Sequence, residues 1–217
     1  MKSLAFLLSI AAFGSCNVID CTTGSGNIIT KTFPQESFDS FDLSSSADVE
    51  LIPSDRNSIE ISTYENLFEK VQVENKSGEV SVDMKGCTRM DQNMKVKVFF
   101  TQLSAVKLSG SGDITAKDTI RGNRFSISIL GSGDVNVLAS VNILEADILG
   151  SGDVTLAGTT AEFRGKINGS GDIRSTGLTS GTTDIAINGS GDATLGSCTN
   201  LTSKVNGSGN VNCKGTK

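Results

Sequence analysis

Residues 108–114, Leu-Ser-Gly-Ser-Gly-Asp-Ile, contain a tetrapeptide that returns through the second half of the chain. Gly-Ser-Gly-Asp starts at Gly110, Gly131, Gly150, Gly169 and Gly189, and Gly-Ser-Gly-Asn starts at Gly207, at spacings of 21, 19, 19, 20 and 18 residues. A unit recurring with so little drift is a structural repeat. Aligned on the first Gly, the position two before it holds Leu108, Ile129, Ile148, Ile167, Ile187 and Val205. Four before stand Val106, Ile127, Ala146, Gly165, Ile185 and Ser203, and four after stand Ile114, Val135, Val154, Ile173, Ala193 and Val211. Six after come Ala116, Val137, Leu156, Ser175, Leu195 and Cys213. The intervening residues are mostly polar, so each unit alternates with period two, as a half-buried strand does.

Each unit therefore reads as strand, Gly-Ser-Gly-Asp corner, strand and looser connection. Two glycines around one Ser allow positive φ at low steric cost, and the following Asp or Asn can accept backbone N–H bonds. One unit buries only a thin apolar row, so neighbours must stack to make a core. Two architectures satisfy this. In a β-solenoid each unit is one coil, with like residues stacked about 4.8 Å apart. In an antiparallel meander the Gly-Ser-Gly is a hairpin loop. The constant period and the like-for-like columns favour the first. The expectation is an all-β chain forming a right-handed parallel β-helix, or β-solenoid, with coils of ~20 residues.

A decayed copy of the template lies upstream. Phe41, Leu43, Ser45-Ser46-Ala47-Asp48, Val49 and Leu51 fit it, with Ser-Ser-Ala in place of Gly-Ser-Gly. Alternating pieces at Ile59/Ile61, Val71/Val73, Val80/Val82 and Val96/Val98 predict less regular strands of the same body, with a helical turn over 66–70. Pro34 and Pro53 fall at edges of strand patterns, where a missing donor is tolerated. Gly24-Ser25-Gly26-Asn27 reads as another decayed corner or as tether.

The first residues have a different character. Lys2 precedes the apolar run Leu4–Phe13, which is far shorter than the ~20 residues that cross a bilayer as a helix. The run ends in Phe13-Gly14-Ser15-Cys16, which resembles a bacterial lipoprotein signal with Cys16 as the lipidated residue. An ordinary cleaved signal peptide is the alternative. The expected organisation is a signal peptide over 1–15, an N-terminal tether over 16–35 and one solenoid domain over 36–217. Outside the cytoplasm disulfides are permitted. Of Cys21, Cys87, Cys198 and Cys213, the pair Cys198–Cys213 is preferred, because Cys213 occupies the next coil's equivalent of Leu195, three residues before Cys198. Buried free thiols are the other reading.

With the repeat laid out, the chain resembles the bacterial auto-transporter adhesin head GIN domain family. The resemblance rests on residues 38–51 (FDSFDLSSSADVEL), on Leu108–Ile114 and on the later Gly-Ser-Gly-Asp units, and it spans about residues 30–213. It implies a secreted or lipid-anchored β-helical protein of the Bacteroidota type and brings no catalytic residues with it.

The chemistry the chain can carry is bounded by its composition. Its 217 residues include no His, which excludes Ser-His-Asp and Cys-His catalysis and His-ligated zinc. A net charge of −5 without clustered Lys and Arg argues against nucleic acid as a partner. The corner residues Asp113, Asp134, Asp153, Asp172, Asp192 and Asn210 form the candidate ladder. It reads as turn capping, with a calcium-binding edge and carboxylate chemistry on a polysaccharide as alternatives. Every coil carries the same Asp, whereas an active site is a singular arrangement. Asn168, Asn188 and Asn206 precede three successive corners and form an amide ladder or contact sugars. Lys95 and Lys97, with Arg89 upstream, read as a solvated face.

No catalytic residue, metal ligand or cofactor is assigned, calcium being the one candidate ion. The resulting expectation is a non-enzymatic, adhesin-like envelope lipoprotein, held at the outer membrane on its periplasmic or outer face. It would present a regular polar β-surface to glycans or to envelope or host surface proteins. A polysaccharide-active enzyme on the same scaffold is the alternative, and would need an acidic cluster in a groove within 52–104. A purely structural scaffold is the third reading.

Overall fold

The alternation of apolar and polar residues becomes strand nearly everywhere it occurs. The computed structural model describes residues 21–196 and 198–214. Cys16 lies outside the described residues.

The chain starts with β1 (Thr22–Thr23), β2 (Ile28–Pro34), β3 (Ser40–Leu43), β4 (Asp48–Pro53) and β5 (Ser58–Tyr64). A 3-10 helix over Glu65–Lys70 buries Leu67 and Phe68 where a helical turn was expected. Then come β6 (Val71–Lys76), β7 (Glu79–Met84), β8 (Thr88–Arg89) and β9 (Lys95–Phe100). This part mixes directions: β2 and β5, β5 and β9, and β6 and β7 pair antiparallel, while β3 with β7 and β4 with β9 are parallel.

Within the expected tether over 16–35, residues 16–20 lie outside the described residues, and residues 28–34 form a strand. Ile28 to Pro34 pairs along its whole length with β5, from Ile28 opposite Tyr64 to Pro34 opposite Ser58. Alternate residues Ile29 and Phe33 pack against the core, which makes this segment part of the domain. A Cys21–Cys87 disulfide, whose cysteines are 66 residues apart, closes the same end, and β1 pairs with β8 beside it. Cys213 is also disulfide-bonded, whereas the side chain of Cys198 lies outside the described residues. Gly24 to Asn27 is a bend between β1 and β2 and does not join the stacked corners.

From β10 (Ala105–Leu108) onward the coils are regular. β11 (Ile114–Ile129), β12 (Val135–Ile148), β13 (Val154–Ile167) and β14 (Ile173–Ile187) each run around a winding and stack in parallel. β15 (Ala193–Leu195), β16 (Cys198–Val205) and β17 (Val211–Cys213) complete the last winding. The result is an all-β parallel solenoid of about five turns. Its first full layer is the decayed copy: β3 lies in register with β10 and β4 with β11.

The columns aligned in sequence are the columns of the core. Leu43, Leu108, Ile129, Ile148, Ile167, Ile187 and Val205 stand one on another, as do Val49, Ile114, Val135, Val154, Ile173, Ala193 and Val211. A third column, Phe125, Leu144, Phe163, Thr183 and Leu201, lies four residues before the first on the same strands. Burial of such aliphatic rows, at about 25 cal/mol per Å² of apolar surface, is the main favourable term holding one winding on the next.

Candidate functional site

The glycine corners stack in one column, for a reason other than the positive φ expected of them. Among the described residues positive φ occurs at Gly26, Gly78, Gly86, Gly158 and Ser77, none of which belongs to a repeated corner. What the corners require is close approach. A Cβ on any glycine from Gly110 to Gly209 within the six corners would lie 1.8–2.1 Å from a carbonyl oxygen of the winding before it. The cause is the corner's hydrogen bonding. Ser151, Ser170, Ser190 and Ser208 each donate their backbone N–H to the first corner glycine of the preceding winding, at 3.1 Å. That carbonyl then lies directly against the Cα of the next glycine.

The first layer tolerates Ser45 and Ala47 at the equivalent places. Between β7 and β9 the chain makes no such corner beneath them. A cavity of about 300 Å³, lined by Met84, Met90, Met94 and Cys87 among others, lies there instead.

The corner carboxylates form a relay between windings. The Asp134 N–H donates to Asp113 Oδ1 at 3.0 Å, Asp153 to Asp134 at 2.8 Å and Asp172 to Asp153 at 2.7 Å. Asp192 then donates to Asp172 at 2.8 Å and Asn210 to Asp192 at 2.7 Å. One oxygen of each Asp thus satisfies a backbone donor in the winding above it. Arg174 bridges the Oδ2 atoms of Asp153 and Asp172 at 2.5 and 2.9 Å. The Asp153 hydrogen bond is the main cause that holds its guanidinium above the usual arginine range. Beside this column the Asn188 amide donates to Asn168 Oδ1 at 2.9 Å, and the Asn206 amide to Asn188 Oδ1 at 3.0 Å. Both ladders spend polar atoms on holding windings together. Among the described residues no group of three or more acidic or Cys side chains converges to hold a metal ion. Lys95 pairs with Asp48 at 2.6 Å and Lys97 with Glu60 at 3.6 Å, both on the surface.

The arrangement best suited to a ligand lies elsewhere, on the outer face between the third core column and the glycine corner. There a groove of about 530 Å³ crosses the strands of β11 to β16. Two outward columns build it. One is Ser126, Glu145, Arg164, Asp184 and Thr202; the other is Ser128, Asp147, Lys166, Ala186 and Lys204. The small Ala186 side chain leaves the space, and long charged side chains wall it. Glu145 is held between Arg124 and Arg164, and Arg164 also reaches Glu162. The hydrogen bond to Glu162, then that to Glu145, raises the Arg164 guanidinium above its usual range. Lys166 and Lys204, by contrast, face the groove with no ion-pair partner among the described residues.

These columns escaped the sequence reading because charge alternates from winding to winding. Aligning positions five and three before each corner glycine would have displayed them.

A smaller groove of about 300 Å³ lies in the irregular part, between Asp42, Glu74, Glu79 and Asp83 with Lys76. Hydrogen bonding to Lys76 holds the Glu74 carboxyl below the usual range, the opposite of what a general acid needs.

Corner ladders that serve packing, and a polar groove built across windings, define a repeat scaffold with a surface for contact. The chain belongs to the family described as "Putative auto-transporter adhesin, head GIN domain", whose model matches residues 37–216. An adhesin-described protein of Bacteroides fragilis superposes with a TM-score of 0.78 at 19% identity, covering 88% of this chain and 99% of that one. A protein of Parabacteroides distasonis described as a "putative lipid binding protein" gives 0.69 at 20% identity, over 90% of this chain and 100% of its own. An adhesin-described protein of Parabacteroides merdae gives 0.59 at 21%, over 90% and 100%. At such identities the likeness is one of fold. No curated protein is matched.

Proposed function

We propose that this chain is a non-enzymatic, adhesin-like protein of the cell envelope, and that it contacts charged glycans through the groove around Lys166 and Lys204. The groove is the observation that carries the reading. It combines unpaired ammonium groups with fixed Arg–Glu pairs and with the carboxylates Asp147 and Asp184. Such a lining supplies donors and acceptors to sugar hydroxyls, and cations to sugar carboxylates. Its open shape suits a chain laid across several windings. The family name supports an adhesive role, and the signal ending at Cys16 supports lipid anchoring at the outer membrane.

A glycan array with the unacylated protein, run with calcium and with chelator, tests the reading. Binding to carboxylated glycans that survives chelation and weakens with salt is expected. The same glycans are expected to come through prolonged incubation uncleaved. Hydrolysis or elimination lost on substitution of a single acidic residue in the Asp42–Asp83 groove would replace this proposal with an enzyme.

A further inference from the structure

The charges that line the groove change sign from one winding to the next. β12 contributes Glu145 and Asp147, β13 Arg164 and Lys166, β14 Asp184 beside the small Ala186, and β16 Lys204. The order is acid, base, acid, base. Glu145 and Arg164 pair with each other across adjacent windings. Asp147, Lys166, Asp184 and Lys204 make no ion pair among the described residues, so their charges stay available to a ligand.

The spacing of these charges is fixed by the sheet. Lys166 stands in register with Ala186, and Ala186 with Lys204. Neighbouring strands lie ~4.8 Å apart, so the two lysines are rooted about 9–10 Å apart on the outer face. Asp184 lies on the winding between them, and Asp147 on the winding before Lys166. A ligand laid across the windings matches this pattern only if its own charges recur with the same period. An extended peptide turns side chains to one face every ~6.6 Å and falls out of step within two windings. An extended pyranose chain keeps step, because the two bridging oxygens of one ring are separated by nearly the width of one winding. One sugar then sits on each winding.

We infer, resting on the groove as the glycan site, that its ligand is a polysaccharide in which a uronate alternates with an uncharged acetamido sugar. Carboxylates two rings apart fall on Lys166 and Lys204. The ring between them lies on β14, where its hydroxyls donate to Asp184 and its acetamido group takes the space over Ala186. The ring before Lys166 meets the Asp147 carboxylate with hydroxyls in the same way. A chain carrying a carboxylate on every ring fits worse. With two of its carboxylates on the lysines, the intervening one falls against Asp184, and this like-charge contact supplies the discrimination.

Calorimetric titration of the unacylated Cys16→Ser chain with two hexasaccharides tests the inference. One probe alternates glucuronate with N-acetylglucosamine, and the other is mannuronate throughout. The alternating chain should bind about tenfold tighter although it carries half the charge. Asp184→Asn should remove most of that preference, and Asp184→Lys should reverse it, with both variants melting as the parent does. A parent that binds neither chain, fails to distinguish them or prefers mannuronate overturns the inference, as does an Asp184→Lys protein that keeps the parent's order. If Lys166→Ala/Lys204→Ala still abolishes glycan binding in such a case, the groove stands as the site and only the alternation falls. Undiminished binding of both chains by that double variant removes the groove reading, and the inference with it.

Discussion

Gly133 and Gly122 show how the same residue type does two different jobs in one chain. A Cβ at position 133 would lie 1.9 Å from the Gly112 carbonyl oxygen, a backbone atom fixed by the stack. At Gly122 the nearest atom would be 3.9 Å away, at ordinary φ. Gly133→Ala should therefore cost about 2–4 kcal/mol, as overpacking against backbone does. Gly122→Ala should stay within about 0.5 kcal/mol of the parent. Urea denaturation of the two variants reads the difference, and equal midpoints would refute the close-approach explanation. The corner carboxylates make a second residue-scale prediction. Asp153→Ala leaves the Asp172 N–H without its acceptor, at a cost of about 1–2 kcal/mol. Asp153→Asn keeps the acceptor and should cost less than half as much. It forfeits the charge opposite Arg174, but that pair is half-exposed and contributes little. Accelerated amide exchange at Asp172 in the Ala variant alone is the matching signature.

Among the elements, the regular windings were legible in the sequence because position, spacing and residue type all repeat. Leu108, Ile129, Ile148, Ile167 and Ile187 say the same thing five times, and period-two alternation around them admits little but strand. β2 was not legible. Its Ile29 and Phe33 are inward only because β5 lies antiparallel beside it, a partner some thirty residues away with no repeat to announce it. Cys21 likewise meets Cys87 through a loop whose path local pattern does not encode. The glycines were recognised as necessary, but positive φ is a property of one residue, whereas close approach is a property of two windings. Because the Cys21–Cys87 bridge closes a 66-residue separation, removing it should lower stability by about 2–4 kcal/mol. Thermal melts of the double Ser variant test this, and an unchanged melt would mean that the β2–β5 pairing holds this end by itself.

The molecule as a whole is a rod whose interior repeats and whose outer face does not. Inside, stacking keeps the columns two before and four after each corner aliphatic from Leu108 to Val211. Outside, the column Ser126, Glu145, Arg164, Asp184, Thr202 changes at every step, which is why the groove could not be read from the repeat. A scaffold of this kind separates stability from recognition, so outward substitutions should alter binding while leaving the fold intact. Calorimetric titration of the strongest array ligand into the parent and into a Lys166→Ala/Lys204→Ala protein measures this most directly. The parent should bind, and the double variant should lose at least tenfold in affinity with its melting temperature unchanged. Undiminished binding by the double variant would contradict the account.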